Sequence, residues 1–122
     1  MAKFVALTMA YTTVVIACML MANSHHHVDA SITCAEITTL LTPCIPYAIT
    51  GGNVPTVCCE GLKITDAASN TVEEERVECS CIQNGLAPIS GINYDFVAAL
   101  PDKCNHTAPY IVTPTTDCSK VP

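Results

Sequence analysis

Eight cysteines follow residue 30: Cys34, Cys44, the adjacent Cys58 and Cys59, Cys79 and Cys81 on either side of Ser80, then Cys104 and Cys118. The stretches between these groups are nine, thirteen, nineteen, twenty-two and thirteen residues long. Thiols at this density either ligate a metal or oxidise in pairs. Zinc modules use Cys-x-x-Cys knuckles, a step that neither Cys58-Cys59 nor Cys79-Ser80-Cys81 provides, so no metal and no cofactor is expected. An even count in a short exported chain points instead to four disulfides. Eight thiols pair in on the order of a hundred ways, so the spacing alone leaves the connectivity open.

Other groups able to do acid–base or nucleophilic work are few. Glu73, Glu74, Glu75 and Glu78 offer paired carboxylates, but consecutive positions spread around a helix, and a solvated first turn favoured by the helix dipole accounts for all four. After residue 30 the single histidine is His106, and it has no Gly-x-Ser-x-Gly context that would build a Ser-His-Asp arrangement. An enzyme is therefore not expected. Asn105-His106-Thr107 is an N-glycosylation sequon, which makes Asn105 a candidate acceptor if the chain is secreted.

The start of the chain supports export. Lys3 precedes a mostly apolar run from Phe4 to Ala22, interrupted by Tyr11, Thr12 and Thr13, and a polar stretch then ends at Val28-Asp29-Ala30. This pattern reads as a secretory signal peptide over residues 1–30 with cleavage before Ser31; the threonines and the cleavage pattern weigh against a membrane anchor. Cys18 and the run His25–His27 would leave with it. Residues 31–122 then form one domain of 92 residues with 4 basic and 10 acidic side chains, a net charge of −6. An acidic surface disfavours nucleic acid and attack on anionic bilayers, leaving at most transient membrane contact by a secreted monomer.

Four helices are expected to carry these groups. Thr33 to Glu36 is a Thr-x-x-Glu capping box, after which Ile37, Leu40, Leu41 and Ile45 recur at helical steps; Pro43 and Pro46 should bend or end this first helix. Gly51, Gly52 and Pro55 mark a loop. Thr56 is placed to cap helix two, running through Leu62 to about Ser69. A second box, Thr71 to Glu74, opens helix three, which continues to Leu86 and stops before Pro88. Asn93 caps a short fourth helix ending before Pro101. Pro109, Pro114 and the threonines Thr113, Thr115 and Thr116 break any period beyond Cys104, so the tail should be irregular and held by Cys118.

The order C, C, CC, CxC, C, C over residues 31–122 resembles the eight-cysteine motif of plant non-specific lipid-transfer proteins, and the polar Ser80 inside CxC is similar to their type 1 branch. The resemblance implies an all-α fold: a right-handed, disulfide-stapled four-helix bundle with an irregular C-terminal tail around an internal apolar tunnel. It also implies the pairs Cys34–Cys81, Cys44–Cys58, Cys59–Cys104 and Cys79–Cys118; the type 2 alternative exchanges the partners of Cys79 and Cys81. A hollow of roughly 300 Å³ in so small a domain would cost on the order of 7 kcal/mol, which such cross-links would offset by restricting the unfolded chain.

The function implied is a carrier of fatty acids, lysolipids and phospholipids, with roles in cuticle formation or defence. Ile37, Leu41 and Ile45 of helix one, Leu62 of helix two, and Ile82 and Leu86 of helix three are candidates for the wall, with Ile89, Ile92 and Leu100 beyond them. Aliphatic walls without polar hooks bind by burial and discriminate poorly between chains. Periodicity, however, does not separate a lined cavity from a packed core. Pro109-Tyr110-Ile111-Val112-Thr113 matches the family's C-terminal Pro-Tyr-x-Ile/Val-Ser/Thr motif, which assigns Tyr110 to the polar end of a ligand and Val112 to its chain. The family's Thr/Ser-x-x-Asp-Arg/Lys motif falls on Thr71 to Glu75; Glu74 replaces the aspartate, Glu75 occupies the basic position, and Arg76, about 100° further round a helix, is the candidate replacement. Lys103 is a solvated charge. The alternative is a protease or alpha-amylase inhibitor of the related seed-protein class; the loops from Gly51 to Pro55 and from Pro88 to Asn93 have no Arg or Lys, which argues against trypsin-like targets.

Overall fold

Hydroxyls and carboxylates at the helix starts settle where the chain turns helical in the computed structural model, which describes residues 31–122. The leader expected over residues 1–30, with Cys18 and His25–His27, lies outside the described residues. Helix α1 spans Cys34–Leu41: Thr33 Oγ1 accepts from the Glu36 amide at 3.3 Å and Glu36 Oε2 accepts from the Thr33 amide at 2.8 Å, completing the capping box. Its threonines return their hydroxyls to carbonyls one turn back, as in Thr38 to Cys34 O and Thr42 to Thr38 O. Pro43 then tightens the chain into a 3-10 turn, Thr42–Cys44, and α2 (Ile45–Thr50) resumes with Pro46 in its first turn, where no amide is needed. The prolines thus bend one helical arm. Gly51 ends it at φ 70°, with its amide on Tyr47 O at 2.8 Å and the Phe96 ring where a Cβ would stand.

Helix α3 spans Thr56–Ala68. Thr56 is its first helical residue rather than its cap, because the extended Pro55 holds the cap position and its carbonyl takes the Cys58 amide at 3.0 Å. Helix α4, Val72–Leu86, opens on the second box; Glu74 Oε2 accepts from the amides of both Asn70 and Thr71. Helix α5 spans Tyr94–Lys103 with Asn93 Oδ1 capping Asp95 N at 2.9 Å. It runs past Pro101, contrary to the expected stop. Proline there removes one amide from the last turn, and the amides of Cys104 and His106 still close onto Leu100 O and Pro101 O at 2.9 Å.

Residues 31–122 form one compact unit of four helical arms, α1 with α2 counting as one, and among the described residues there is no strand. Helix α1 packs on α3 and α4, and α2 packs on α5. Gly61 lets α3 approach α1 so closely that a Cβ would overlap the Leu40 carbonyl. Ile37 of α1 is 1% exposed, and Thr65, Cys58 and Cys79 are likewise fully enclosed; Cys58 packs with Cys44, Tyr47 and Leu100, and Cys79 with Cys118 and Val121 of the tail. The disulfides join Cys34 to Cys81, Cys44 to Cys58, Cys59 to Cys104 and Cys79 to Cys118, the pairs that the type 1 resemblance implies. The tail is irregular except for a 3-10 turn, Cys118–Lys120. Gln83 Nε2 holds it by donating to Thr113 O at 2.8 Å and Thr116 O at 3.0 Å, and Val121 is buried beneath it.

Candidate functional site

Four-residue steps along α4 put Glu78, Ile82 and Leu86 on one face, a stripe about 12 Å long at 1.5 Å per residue. That face borders a cavity of about 100 Å³. The bent arm contributes Leu41, Ile45 and Ala48, α3 contributes Leu62 and Asp66, and α5 contributes Val97, Ala98 and Leu100. The tail closes the remaining side with His106 and the run from Ala108 to Val112. Every helical arm supplies apolar wall, and the void is about a third of the roughly 300 Å³ hollow considered above. At about 24 cal/mol per Å³ it costs roughly 2.4 kcal/mol in lost contacts, a burden that four cross-links readily carry.

One end of this cavity is polar. Glu78 is 4% exposed and its Oε2 has no hydrogen-bond partner. Burial pushes its carboxyl above the usual carboxylate range, and the nearby negative charges of Asp66 and Glu75 add to the effect, while the Ser69 and Tyr110 hydroxyls oppose it. The Tyr110 phenol is held protonated far above the ordinary tyrosine range, first by burial and then by the Glu78 carboxylate beside it. His106 Nε2 lies 3.2 Å from Asp66 Oδ2. At the far end Leu86 is shared with a surface depression lined by Ile89, Ile92, Gln83 and Tyr94.

Of the side chains singled out from the sequence, Leu41, Ile45, Leu62, Ile82, Leu86, Leu100, Tyr110 and Val112 all border the cavity. Ile37 does not, since it is locked in the α1 seam one turn before Leu41. Ile89 and Ile92 sit outside, past Leu86. Arg76 is also elsewhere: it borders a separate depression with Val77 and Ser119, and its Nε donates to Val121 O at 3.0 Å, so it fastens the tail. The extra 100° of rotation turned it away from the wall that Glu78 faces. Glu75 remains in the family's basic position. Asn105 is exposed, at φ 49°.

Sequence reasoning missed Asp66, Glu78 and His106. Glu78 was grouped with a solvated first turn, which holds for exposed Glu73, whereas Glu74 is spent on the cap. The missed signal was its spacing from Ile82 and Leu86, four and eight residues on. Asp66 stands in the same way four residues from Leu62. His106 follows a bridged cysteine, and only the fold of the tail turns it inward.

The family model described as "Protease inhibitor/seed storage/LTP family" matches residues 19–118. A non-specific lipid-transfer protein of Lactuca sativa, Lac s 1, is 36% identical over 94% of this chain and 97% of its own length. Among solved structures, the hazelnut allergen Cor a 8 superposes with a TM-score of 0.71 at 36% identity, covering 75% of this chain and 99% of that one. Non-specific lipid transfer protein 1 from barley, solved in complex with L-α-lysophosphatidylcholine, gives 0.70 at 26% identity over 74% of this chain and 99% of its own. With this sequence similarity, the helical frame and the four bridges in hand, the chain belongs to the protease inhibitor/seed storage/LTP family and, within it, to the plant non-specific lipid-transfer proteins.

Proposed function

We propose that this protein is a secreted carrier, and not an enzyme, that takes the chain of a fatty acid, lysolipid or phospholipid into the cavity and releases it unchanged. The observation that carries this reading is the partly open cavity of about 100 Å³ walled by aliphatic side chains from every helical arm. Filling it with hydrocarbon returns the dispersion contacts that the empty wall lacks and removes methylenes from water at about 0.8 kcal/mol each, before the costs of immobilising the ligand. The barley relative's complex with a lysophospholipid supports the same class of cargo.

In this reading Leu41, Ile45, Leu62, Ile82, Leu100 and Val112 grip the chain, with Tyr110 beside the polar end. Leu86 is the threshold across which a longer chain reaches the depression at Ile89 and Ile92. Arg76 and Ile37 act on stability rather than on the ligand. An inhibitor of trypsin-like proteases lacks a basic residue in either candidate loop, and an apolar void serves no purpose in any inhibitor reading.

Titration of the oxidised protein against a fluorescent fatty acid, followed by displacement with lysophosphatidylcholine, tests carriage; absence of saturable binding rejects it. Sequencing the N-terminus of protein exported from a plant cell tests the leader, with Ser31 the expected first residue.

A further inference from the structure

The polar end of the cavity contains acceptors and no permanent cation. Asp66 reaches it from α3, Glu78 from α4 with Glu75 close behind, and His106 and Tyr110 from the tail, while α1, α2 and α5 contribute only non-titrating side chains to the wall. Among the described residues no lysine or arginine lines this cavity; the Arg76 guanidinium is engaged with the Val121 carbonyl on another face. Glu78 Oε2 is buried without a partner and belongs to the cavity wall, so it is an acceptor awaiting a donor. His106 Nε2 lies 3.2 Å from Asp66 Oδ2 but makes no hydrogen bond, so its partner in the cavity is the Asp66 charge, and the Tyr110 hydroxyl faces Glu78.

We propose that this end selects single-chain lipids whose terminal group is an uncharged hydrogen-bond donor, a long-chain alcohol above all, over lipids that end in a carboxylate. The proposal rests on the cavity being the lipid site. A hydroxyl entering beside Glu78 satisfies Oε2, removing the desolvation penalty of an orphaned buried acceptor. A carboxylate entering at the same place brings a second negative charge next to Glu78 and Asp66 in a setting that screens poorly, and it finds no fixed cation. Proton uptake by Glu78 turns its carboxyl into a donor, so carboxylate-ended chains become acceptable as the solution is acidified.

The experiment is competition of 1-dodecanol and dodecanoate against a fluorescent lysolipid on the oxidised protein, at about pH 8 and about pH 5, in wild type and in Glu78→Gln. The readout is the ratio of the two displacement constants compared between variants, which cancels the ligands' own solubility and ionisation. Near pH 8, Glu78→Gln should shift that ratio towards dodecanoate by roughly ten-fold, while dodecanol still binds. Towards pH 5 the shift should shrink, because burial makes Glu78 take up its proton more readily than an ordinary carboxyl. An unchanged ratio in Glu78→Gln near pH 8 overturns the selectivity and leaves carriage standing. Failure of the probe itself to bind saturably overturns carriage and selectivity together. Asp66→Asn should move the ratio in the same direction and replaces Glu78→Gln if that variant does not fold.

Discussion

Ile37 and Leu41 are one turn apart on the same face of α1, yet one is sealed in solid packing and the other borders a void. The difference runs through the whole domain. Along the α1–α3 seam, Gly61 brings backbone against backbone at Leu40, and Ile37 is almost wholly enclosed. Between the bent arm, α3, α4, α5 and the tail, aliphatic side chains of similar kind leave a cavity among them. A solid half anchored by backbone contact lets the other half stay open, and the bridges Cys59–Cys104 and Cys79–Cys118 pull the covering tail onto it. Hydrophobicity is common to both halves; packing density separates them.

The strongest way to break this contrast is Gly61→Val. Its branched side chain has no room against the Leu40 carbonyl, so unfolding by denaturant should show a loss of about 3 kcal/mol or more, or no folded protein at all. Unchanged stability would mean the seam is not solid. Ile37→Ala should follow with roughly 2 to 5 kcal/mol, whereas Leu41→Ala should lose clearly less, because part of its surroundings is already empty. Equal losses at the two positions would erase the distinction between seam and wall. Ala48→Leu pushes methylenes into the void: its stability should hold, while affinity for a fluorescent fatty acid falls roughly ten-fold, about 1.4 kcal/mol. Thr71→Ala, which removes half of the α4 capping box and touches neither region, should cost about 1 kcal/mol with binding intact.

The smallest effect is one of pH. Because the folded Glu78 carboxyl binds its proton more tightly than the unfolded one, the native state holds more protons above the ordinary carboxylate pKa, and stability declines as pH rises through the folded value. Glu78→Gln should flatten that decline in denaturant midpoints measured from acid to neutral pH. Retention of the full decline in the variant would move its source to another carboxylate.

Much of this was legible in the residues. Thr33 with Glu36 and Thr71 with Glu74 announced two helix starts, since capping chemistry is local and needs only a hydroxyl and a carboxylate three residues apart. Thr56 and Pro101 were less transparent. The carbonyl of Pro55 took the cap's first amide, and the amides of Cys104 and His106 closed the turn around Pro101, local bonds that residue types alone do not single out. Arg76 shows the limit of motif transfer: a one-residue slip on a helix changes which face a side chain serves, and here it faces the tail.

By itself the sequence determined the positions of the cysteines, two helix starts and the apolar faces, because spacing, capping boxes and residue periodicity are properties of the chain; the disulfide pairing and the all-helical class came from the resemblance that the spacing carries. Only the tertiary structure decided which apolar residues touch each other and which stand around empty space. It also turned Glu78, Asp66 and His106 inward from three separate segments to form one polar end. The physical reason is that periodicity fixes the direction of a side chain relative to its own helix, whereas the distance to the facing helix depends on where backbones meet, here at Gly61, and on where the bend at Pro43 carries them apart.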